Sequence, residues 1–432
     1  MQIIKYPPKE QWNAIISRPV LNTEHLFDKV EQILKDVHKN GNEAVKKYSE
    51  LFDKVRMDRL DVSEAEWKEA FELVSEDLQN AISIAKTNIE KFHVAQIFNT
   101  PKIETTSGVL CWQKTSPIEK VGLYIPGGTA PLFSTVLMLA VPAKIAGCKE
   151  IVLCTPPNKE GKIHPAMLYA AHIAGVDRIF KIGGVQAIAS MAYGTESVPK
   201  VYKIFGPGNQ YVTAAKQLVS LKDVAIDMPA GPSEVEVIAD ESANPVFVAA
   251  DLLSQAEHGT DSQSVLITDS ETLAGKVEKE VNRQLNALPR KDIAEKSMEN
   301  SRIIILKDKK EIIELTNLYA PEHLIIETED YAELAEQIEN AGSVFLGHYT
   351  TESAGDYASG TNHTLPTNGY AKAYSGVNLD AFVKKITFQE ISDEGLYRLG
   401  PVIEKMAAEE GLDGHKNAVS VRLEEIRNTD KA

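Results

Sequence analysis

The chain has 432 residues, of which 43% are hydrophobic and 25% are charged. This is typical of a globular protein with roughly two to four domains, each with enough apolar material for a buried core. The 46 basic and 62 acidic side chains give a net charge of −16, which repels nucleic-acid phosphates and anionic lipid. We therefore expect no nucleic-acid partner and no membrane partner.

The cysteines are Cys111, Cys148 and Cys154, an odd number without CxxC spacing. They predict no disulfide scaffold and favour a cytoplasmic location. The N-terminal segment MQIIKYPPKEQW lacks the apolar core of a signal peptide. The longest apolar stretch, 132–146, contains Pro142 and Lys144 and is too short to span a bilayer. We expect no targeting segment and no membrane anchor.

The first hundred residues or so are predicted to be helical. Val30, Leu34 and Val37 recur with helical spacing and form one apolar face. Ser63 and Glu66 have the spacing of a capping box at a helix start. These helices are expected to pack through their apolar faces.

From about residue 109 onward, apolar β-rich runs alternate with helical patterns. The first series of runs is KVGLYI, EIVLCT, RIFKIG, VYKIFG and DVAIDM. The second is EVEVIAD, SVLITD, RIIILKD, HLIIET and SVFLG. Such alternation is typical of doubly wound parallel sheets. The sequence therefore predicts the α/β class with two similar units, although no close repeat relates them.

The chain changes character after residue 347. It is rich in Gly, Ser and Thr to about residue 376, and then continues with a strand-like KKITFQ, a helical pattern and the alternating segment AVSVRLEEI. These features predict a small C-terminal domain or arm.

Three predicted strand-to-helix turns carry glycine pairs, at 127–128, 183–184 and 206–208. In a parallel sheet such turns share the carboxyl edge, where nucleotides bind at helix N-termini. However, GPGNQY lacks the last glycine of the dinucleotide fingerprint, and no acid follows at the expected distance. Tight turns without a ligand remain an equal alternative.

A helix is predicted from Pro245 to His258, because Asn244 is a good N-cap and Gly259 a good stop. Gln255 and His258 then share one face in the last turn, where the helix dipole favours a cation. A histidine at a helix C-terminus is also typical of simple capping. The pair would need further ligands from distant segments.

Candidate partners are Asp356, His363 and His415, each beside Gly, Asn or Thr. An Asp with two His would satisfy a catalytic zinc site with one open position. An Asx turn at Asp356 and an exposed turn histidine at His415 are the alternatives, and the residues alone do not decide between them.

Glu322 and His323 follow a proline and precede the apolar run LIIET. An acid beside an imidazole offers two proton-transfer groups, one of which titrates near neutral pH. A turn with two solvated charges is the alternative. Ser233 lies in a rigid turn, MPAGPSE, but the chain has no GxSxG elbow, so a serine hydrolase is disfavoured.

In this order, the segments YIPGG, GPGN, IDMPAGPSE, LLSQAEHG, PEHL, ESAGDYASGTNH and HKNAV resemble the histidinol dehydrogenase family. The resemblance covers about Gly122 to Val421. It implies a cytoplasmic, zinc-dependent homodimer that oxidises L-histidinol to L-histidine with two NAD⁺ in succession. It also implies two incomplete Rossmann-like units, an N-terminal segment and a C-terminal arm that reaches into the partner's active site.

The resemblance implies site residues by position. It assigns one zinc ion per subunit to Gln255, His258, Asp356 and His415 of the partner subunit. Substrate contacts are expected from these four residues and from Ser233, His323, His363 and Glu410. NAD⁺ contacts are expected from Tyr124, Gln186 and Asn209.

The resemblance also implies the division of chemistry. His323 would accept the hydroxyl proton in the first oxidation and a proton again in the second, and Glu322 would activate water between them. No cysteine is needed. This distinguishes the family from aldehyde dehydrogenases with a thiohemiacetal intermediate.

The predicted domains are a segment 1–21, a discontinuous α/β domain of 22–115 and 231–375, a second α/β domain of 116–230 and an arm of 376–432. Two other functions remain open from the residues alone. A zinc-dependent hydrolase on an α/β fold would use the same metal ligands without NAD⁺, and a non-catalytic α/β binding protein would keep only the glycine turns.

Overall fold

A computed structural model describes residues 1–19, 24–127, 130–228 and 231–429. The chain forms two compact units. The first comprises residues 1–96 and 118–382, and the second comprises 97–117 with the chain from 383 onward. The four-part domain division stays a prediction, and its boundaries at residues 21 and 230 lie outside the described residues.

The first unit contains a six-stranded parallel sheet. Its strands are β1 Gln2–Lys5, β9 Glu234–Ala239, β10 Gln263–Thr268, β11 Arg302–Ile305, β12 His323–Glu327 and β13 Ser343–Leu346. They lie in the order β1-β11-β10-β9-β12-β13. From β9 to β13 this is the 3-2-1-4-5 order of a Rossmann unit without its sixth strand. The N-terminal strand β1 adds to the edge beside β11.

A five-stranded parallel sheet in the same unit repeats this order. Its strands are β4 Lys120–Tyr124, β5 Glu150–Thr155, β6 Arg178–Lys181, β7 Lys203–Phe205 and β8 Ala225–Ile226. They lie in the order β6-β5-β4-β7-β8, again 3-2-1-4-5. The expected pair of incomplete Rossmann-like units is confirmed. Most residues of β4 and β5 are buried, as expected for strands with helices on both faces.

Fourteen α-helices are described in the first unit. They are α1 Trp12–Ile15, α2 Phe27–Phe52, α3 Glu64–Leu73, α4 Glu76–Val94, α5 Phe133–Ala146, α6 Pro165–Ile173, α7 Gly184–Tyr193, α8 Gln210–Ser220, α9 Pro245–Ala256, α10 Glu271–Leu285, α11 Lys291–Asn300, α12 Lys309–Tyr319, α13 Tyr331–Ala335 and α14 Glu352–Tyr357. Within the described ranges, no helix combines the length and the apolar character that crossing a membrane requires.

The N-terminal helices pack against the helices that flank the five-stranded sheet. Helix α2 packs against α7 and α8, α3 against α6, and α4 against α5. The predicted apolar face is buried at Val30, Leu34 and Val37. The capping box is also confirmed, because the Ser63 hydroxyl accepts from the Glu66 N–H and the Glu66 carboxylate accepts from the Ser63 N–H.

The second unit is an antiparallel sheet with two helices. Strands β2 Ile103–Thr106, β3 Val109–Pro117 and β14 Val383–Ile391 lie in the order β14-β3-β2. Helices α15 Asp393–Glu409 and α16 Asp413–Thr429 follow. The strand predicted at KKITFQ is confirmed by β14. The alternating AVSVRLEEI instead lies in helix α16, where Leu423 is buried and lies close enough to Gly400 of α15 to fill the space of a Cβ.

Candidate active site

The candidate site lies at the amino edge of the six-stranded sheet. Strands β9 and β12 are parallel neighbours, and Val235 lies opposite His323. Helix α9 leaves the carboxyl end of β9 and returns the chain to the amino edge, where β10 begins. Gln255, near the end of α9, therefore meets His323 at the start of β12, with 3.3 Å between its amide nitrogen and Nδ1.

Nδ1 of His323 also lies 3.2 Å from the carbonyl oxygen of Glu234. A carbonyl oxygen only accepts hydrogen bonds, so this contact requires the proton on Nδ1. The nearby Gln255 amide nitrogen is then a close contact, because two donors cannot bond to each other. In the neutral imidazole, Nε2 is then the nitrogen without a proton. This is the ring nitrogen that can act as a base.

Three carboxylates surround the imidazole. Nδ1 lies 3.7 Å from Oε2 of Glu322 and 3.7 Å from Oε1 of Glu352. Nε2 lies 3.5 Å from Oδ1 of Asp356. Glu322 is held in place by the backbone, because its Oε2 accepts a 2.9 Å hydrogen bond from the N–H of Glu234.

The donor set fits a metal ion. One ligand atom each from His323, Glu352 and Asp356 lies within 4.8 Å of the others. Oε1 of Gln255 and Nε2 of His323 are buried without a hydrogen-bond partner in the part of the chain that the structure describes. Buried polar atoms normally find partners, and an oxygen and an imidazole nitrogen beside carboxylates are suitable ligands for a divalent cation.

Two further predicted residues lie close to this cluster. His258, whose N–H bonds to the carbonyl of Gln255 at 3.2 Å, lines the same cavity as His323 and Asp356. Nδ1 of His363 lies 2.9 Å from the carbonyl oxygen of Asp356, and its Nε2 lies 3.1 Å from the Thr135 hydroxyl. Both histidines are enclosed enough that burial lowers their pKa.

Burial and charge shift the protonation of the cluster. Burial raises the pKa of Glu322 to about 8 and that of Glu352 to about 8. Burial lowers the pKa of His323, but Glu352, Glu322 and Asp356 together raise it by more, so its net pKa lies well above the ordinary value. The metal-free cluster therefore retains more protons at neutral pH than the same groups do in water.

A cavity of about 620 Å³ opens above the cluster. Ser233, His258, Glu322, His323, Asp356 and His363 line it, together with Gly206, Gly208 and Asn209 from the carboxyl edge of the five-stranded sheet. The volume suits a small-molecule site. The carboxyl edge of one sheet and the amino edge of the other therefore face the same space.

The predicted cofactor residues lie at the carboxyl edge of the five-stranded sheet. The phenol oxygen of Tyr124 accepts a 3.1 Å hydrogen bond from the N–H of Gly184, and Gln186 follows in α7. Both side chains are buried. Asn209 caps α8 by accepting from two backbone N–H groups. In the predicted glycine turn at 127–128, Gly128 lies outside the described residues.

The turn glycines are explained by packing. Gly206 has φ 117°, and a Cβ there would lie 2.0 Å from the carbonyl oxygen of Tyr124. No residue with a Cβ fits at this position, whether or not a ligand binds nearby. The glycine pattern therefore fixes the turn and is no evidence for a nucleotide.

The remaining predicted residues lie in the second unit. Glu410 follows α15, His415 lies in the first turns of α16, and both are exposed. Their part in the site stays a prediction.

Two residues near the predicted site escaped sequence reasoning. Glu352 is four residues before Asp356 in α14, and this i, i+4 spacing on a short helix was an available signal. Asp53 follows α2 and lies 3.4 Å from the Gln186 amide nitrogen, and burial raises its pKa to about 6. No local pattern links Asp53 to the distant glycine turns.

A buried acid and imidazole that face a cavity are typical of an enzyme active site. The protein is therefore an enzyme with a doubly wound α/β fold. The histidinol dehydrogenase family model matches residues 16–423. A histidinol dehydrogenase from Bacteroides thetaiotaomicron is 69% identical, with 99% of this chain and 100% of the relative covered. One from Escherichia coli is 52% identical, with 97% and 96% covered. The crystal structure of a histidinol dehydrogenase from Elizabethkingia anophelis has a TM-score of 0.97 at 54% identity, with 99% of each chain covered.

The chain belongs to the histidinol dehydrogenase family. Membership makes it an NAD-dependent oxidoreductase, which confirms the expected enzyme class. The two alternatives left open by the residues, a zinc-dependent hydrolase and a non-catalytic binding protein, are not supported.

The buried carboxyl group of Glu236 on β9 predicts a pH effect on stability. Burial raises its pKa from 4.5 to about 8, so the folded state holds a proton that the unfolded chain releases near pH 4.5. Its contribution to stability is present below that pH and is lost as pH rises through about 8.

Glu236→Gln keeps a neutral group of the same shape. The variant should match the wild type in its midpoint of thermal unfolding at pH 5 and exceed it at pH 9. The exposed substitution Glu336→Gln is the control and should give no such difference. An equal offset for Glu236→Gln at both pH values would contradict the assignment.

Proposed function

We propose that this enzyme oxidises L-histidinol to L-histidine through bound L-histidinaldehyde, using zinc and two molecules of NAD⁺. The observation that carries the proposal is the buried Glu322–His323 pair beside the unpartnered Oε1 of Gln255. Family membership supports the substrate, because the relatives are named for histidinol. A cytoplasmic location remains part of the proposal.

The zinc ligands we propose are Gln255, His258 and Asp356 of one subunit and His415 of the partner subunit. When bound, zinc would hold nitrogen atoms of the substrate and add positive charge that offsets the surrounding carboxylates. The unpartnered Oε1 of Gln255 supports its assignment. A carboxylate oxygen of Glu352 lies within 4.8 Å of a ligand atom of Asp356. We propose that Glu352 helps to position the zinc ligands without binding the metal itself.

In the proposed mechanism, His323 is the base in both oxidations. Its Nδ1 donates to the carbonyl of Glu234, which keeps the ring oriented and leaves Nε2, beside Asp356, as the basic nitrogen. Nε2 accepts the hydroxyl proton as the alcohol is oxidised, and later accepts the proton of the aldehyde hydrate. The fixed tautomer means that no ring rotation is needed between the two steps.

Glu322 would act between the two oxidations. Its high pKa, raised to about 8 by burial, makes it a stronger base than an exposed carboxylate once it is ionised. It lines the cavity, so a water molecule there can donate to it and add to the aldehyde carbon. Ser233 and His363, on the same wall, are proposed to contact the substrate.

The cofactor is proposed to bind at the carboxyl edge of the five-stranded sheet. NAD⁺ would supply the two-electron acceptor for each oxidation. Asn209 lies on the cavity wall, between β7 and α8 at the topological switch point where doubly wound folds bind ligands. Tyr124 accepts a hydrogen bond from the N–H of Gly184, and Gln186 follows Gly184 in α7.

We further propose a homodimer with shared active sites. The second unit exposes large apolar side chains, including Tyr397, Val402, Met406 and Val421. Clustered exposed apolar residues mark surfaces that bind another protein chain. Glu410 and His415 lie in the same unit, and we propose that they complete the site of the partner.

The proposed reaction is tested by following NADH absorbance with L-histidinol. Two NADH should form per histidinol, because alcohol oxidation and aldehyde oxidation each release one hydride. A strong chelator should abolish the activity and Zn²⁺ should restore it. Full activity in protein shown by metal analysis to contain no zinc would contradict the metal assignment.

The roles of the acid and the imidazole are separable by half-reaction. Glu322→Gln should slow aldehyde oxidation by roughly 100-fold or more while alcohol oxidation stays near normal, since only the second oxidation needs an activated water. His323→Asn should slow both. Each half is measured separately with histidinol and with histidinaldehyde. Equal losses in the two halves for Glu322→Gln would refute its role.

The shared site is tested with mixed dimers. His415→Asn and Asp356→Asn should each be inactive alone, because each removes a ligand from both sites. Unfolded together and refolded, half of the dimers should be mixed, and each mixed dimer should have one site with all its ligands. Recovered activity should approach roughly a quarter of wild type. No recovery, with subunit mixing confirmed, would place His415 in the site of its own subunit.

A further inference from the structure

A buried ion pair lies directly beneath the proposed catalytic groups. Arg18, in the segment after α1, donates from Nε to Oε1 of Glu234 at 2.7 Å and from Nη2 to Oε2 at 2.7 Å. Only 14% of the Arg18 side chain and 3% of the Glu234 side chain are exposed. Two parallel hydrogen bonds fix both the position and the plane of the carboxylate.

The backbone of Glu234 holds both proposed catalytic residues. Its N–H donates to Oε2 of Glu322 at 2.9 Å, and its carbonyl oxygen accepts from Nδ1 of His323 at 3.2 Å. Glu234 is the first residue of β9, and the sheet pairs it with Gln263 of β10, whereas the pairing with β12 begins at Val235. Its side chain supplies the remaining constraint, through Arg18 and the N–H of Asn368.

The same guanidinium also holds the turn before the catalytic pair. Nη2 of Arg18 donates to the carbonyl oxygen of Tyr319 at 2.6 Å, and the guanidinium carbon lies 3.9 Å from the centre of the Tyr319 ring. Ala320 follows with φ 54°, a left-handed conformation that is costly for a residue with a Cβ. Pro321 then leads into Glu322.

We propose that Arg18 and Glu234 are positioning residues for the oxidation, with Arg18 joining the start of β9 to the turn that carries Glu322 and His323. This inference rests on the proposed function, because it takes Glu322 and His323 as the reacting groups. Neither Arg18 nor Glu234 is assigned a contact with the substrate or the metal. They act through the two backbone hydrogen bonds of one residue, Glu234.

The inference predicts a specific kinetic pattern. Arg18→Gln and Glu234→Gln should lower kcat by roughly 10- to 100-fold, the usual effect of losing an outer partner or of a small displacement of a reacting group. The KM for histidinol and the bound zinc should stay near wild type. Alcohol and aldehyde oxidation should fall together, since the backbone of one residue, Glu234, positions both groups. Glu322→Gln, by contrast, should affect one half.

Glu236→Gln is the matched control. Glu236 is also buried on β9, two residues beyond Glu234, but its carboxylate bonds to Thr316 instead of Arg18. This variant should keep wild-type kcat. Arg18→Lys keeps the charge but loses the bidentate geometry. It therefore provides a second folded variant if Arg18→Gln is unstable, and it should still lose kcat.

Hydrogen exchange provides a readout that does not depend on the substrate. The amide of Glu234 should exchange several-fold faster in Arg18→Lys and Arg18→Gln, and at the wild-type rate in Glu236→Gln, as followed by mass spectrometry of peptides covering 233–236. If the wild type does not oxidise histidinol but the Arg18 variants still exchange the Glu234 amide faster, only the proposed function is refuted. Folded Arg18 variants with unchanged kcat and unchanged exchange, or with losses confined to KM or zinc content, would overturn the inference.

Discussion

The site depends on the parallel pairing of β12 with β9. The register that sets His323 opposite Val235 brings the backbone N–H and carbonyl of Glu234 to Glu322 and His323. A slip of one residue would reverse the faces of all side chains on the strand and separate these groups. Because α9 returns the chain to the same edge, Gln255 arrives there without any long loop. The reacting groups are therefore held by regular elements, which hold geometry better than loops do.

Much of the fold was predictable from local pattern. Apart from β1, which is a strand in a stretch predicted to be helical, the strands of both sheets follow from apolar runs that alternate with helical segments. The capping box at Ser63 follows from spacing alone. The packing partners of α2, α3 and α4 were not predictable. An amphipathic face indicates that a helix is partly buried, but it does not indicate what the helix packs against. AVSVRLEEI alternates like a strand yet forms part of α16, where the pairing of two helices buries Leu423 and outweighs the local pattern.

The candidate site was predictable only in part, and the reason is sequence distance. Gln255, His323 and Asp356 were found through motifs, and the structure brings them together. Arg18 lies more than 200 positions before Glu234, and no composition or periodicity links them. The burial that raises the pKa of Glu322 and Glu352 is equally invisible in the sequence, since it arises when parallel strands gather at one edge. Isolated carboxyl groups titrate near 4, so a sequence alone predicts the wrong protonation state there.

The second unit has a consequence for synthesis of the chain on the ribosome. Strand β14 pairs with β3 along its whole length, yet β14 is translated only after both parallel sheets. At about 5–20 residues per second, β3 waits for roughly tens of seconds with one edge unpaired. An open edge with aromatic and β-branched residues is a template for association with other chains. A nascent chain that stalls before residue 383 would present that edge to its neighbours, so demand for chaperones should be greatest in this interval.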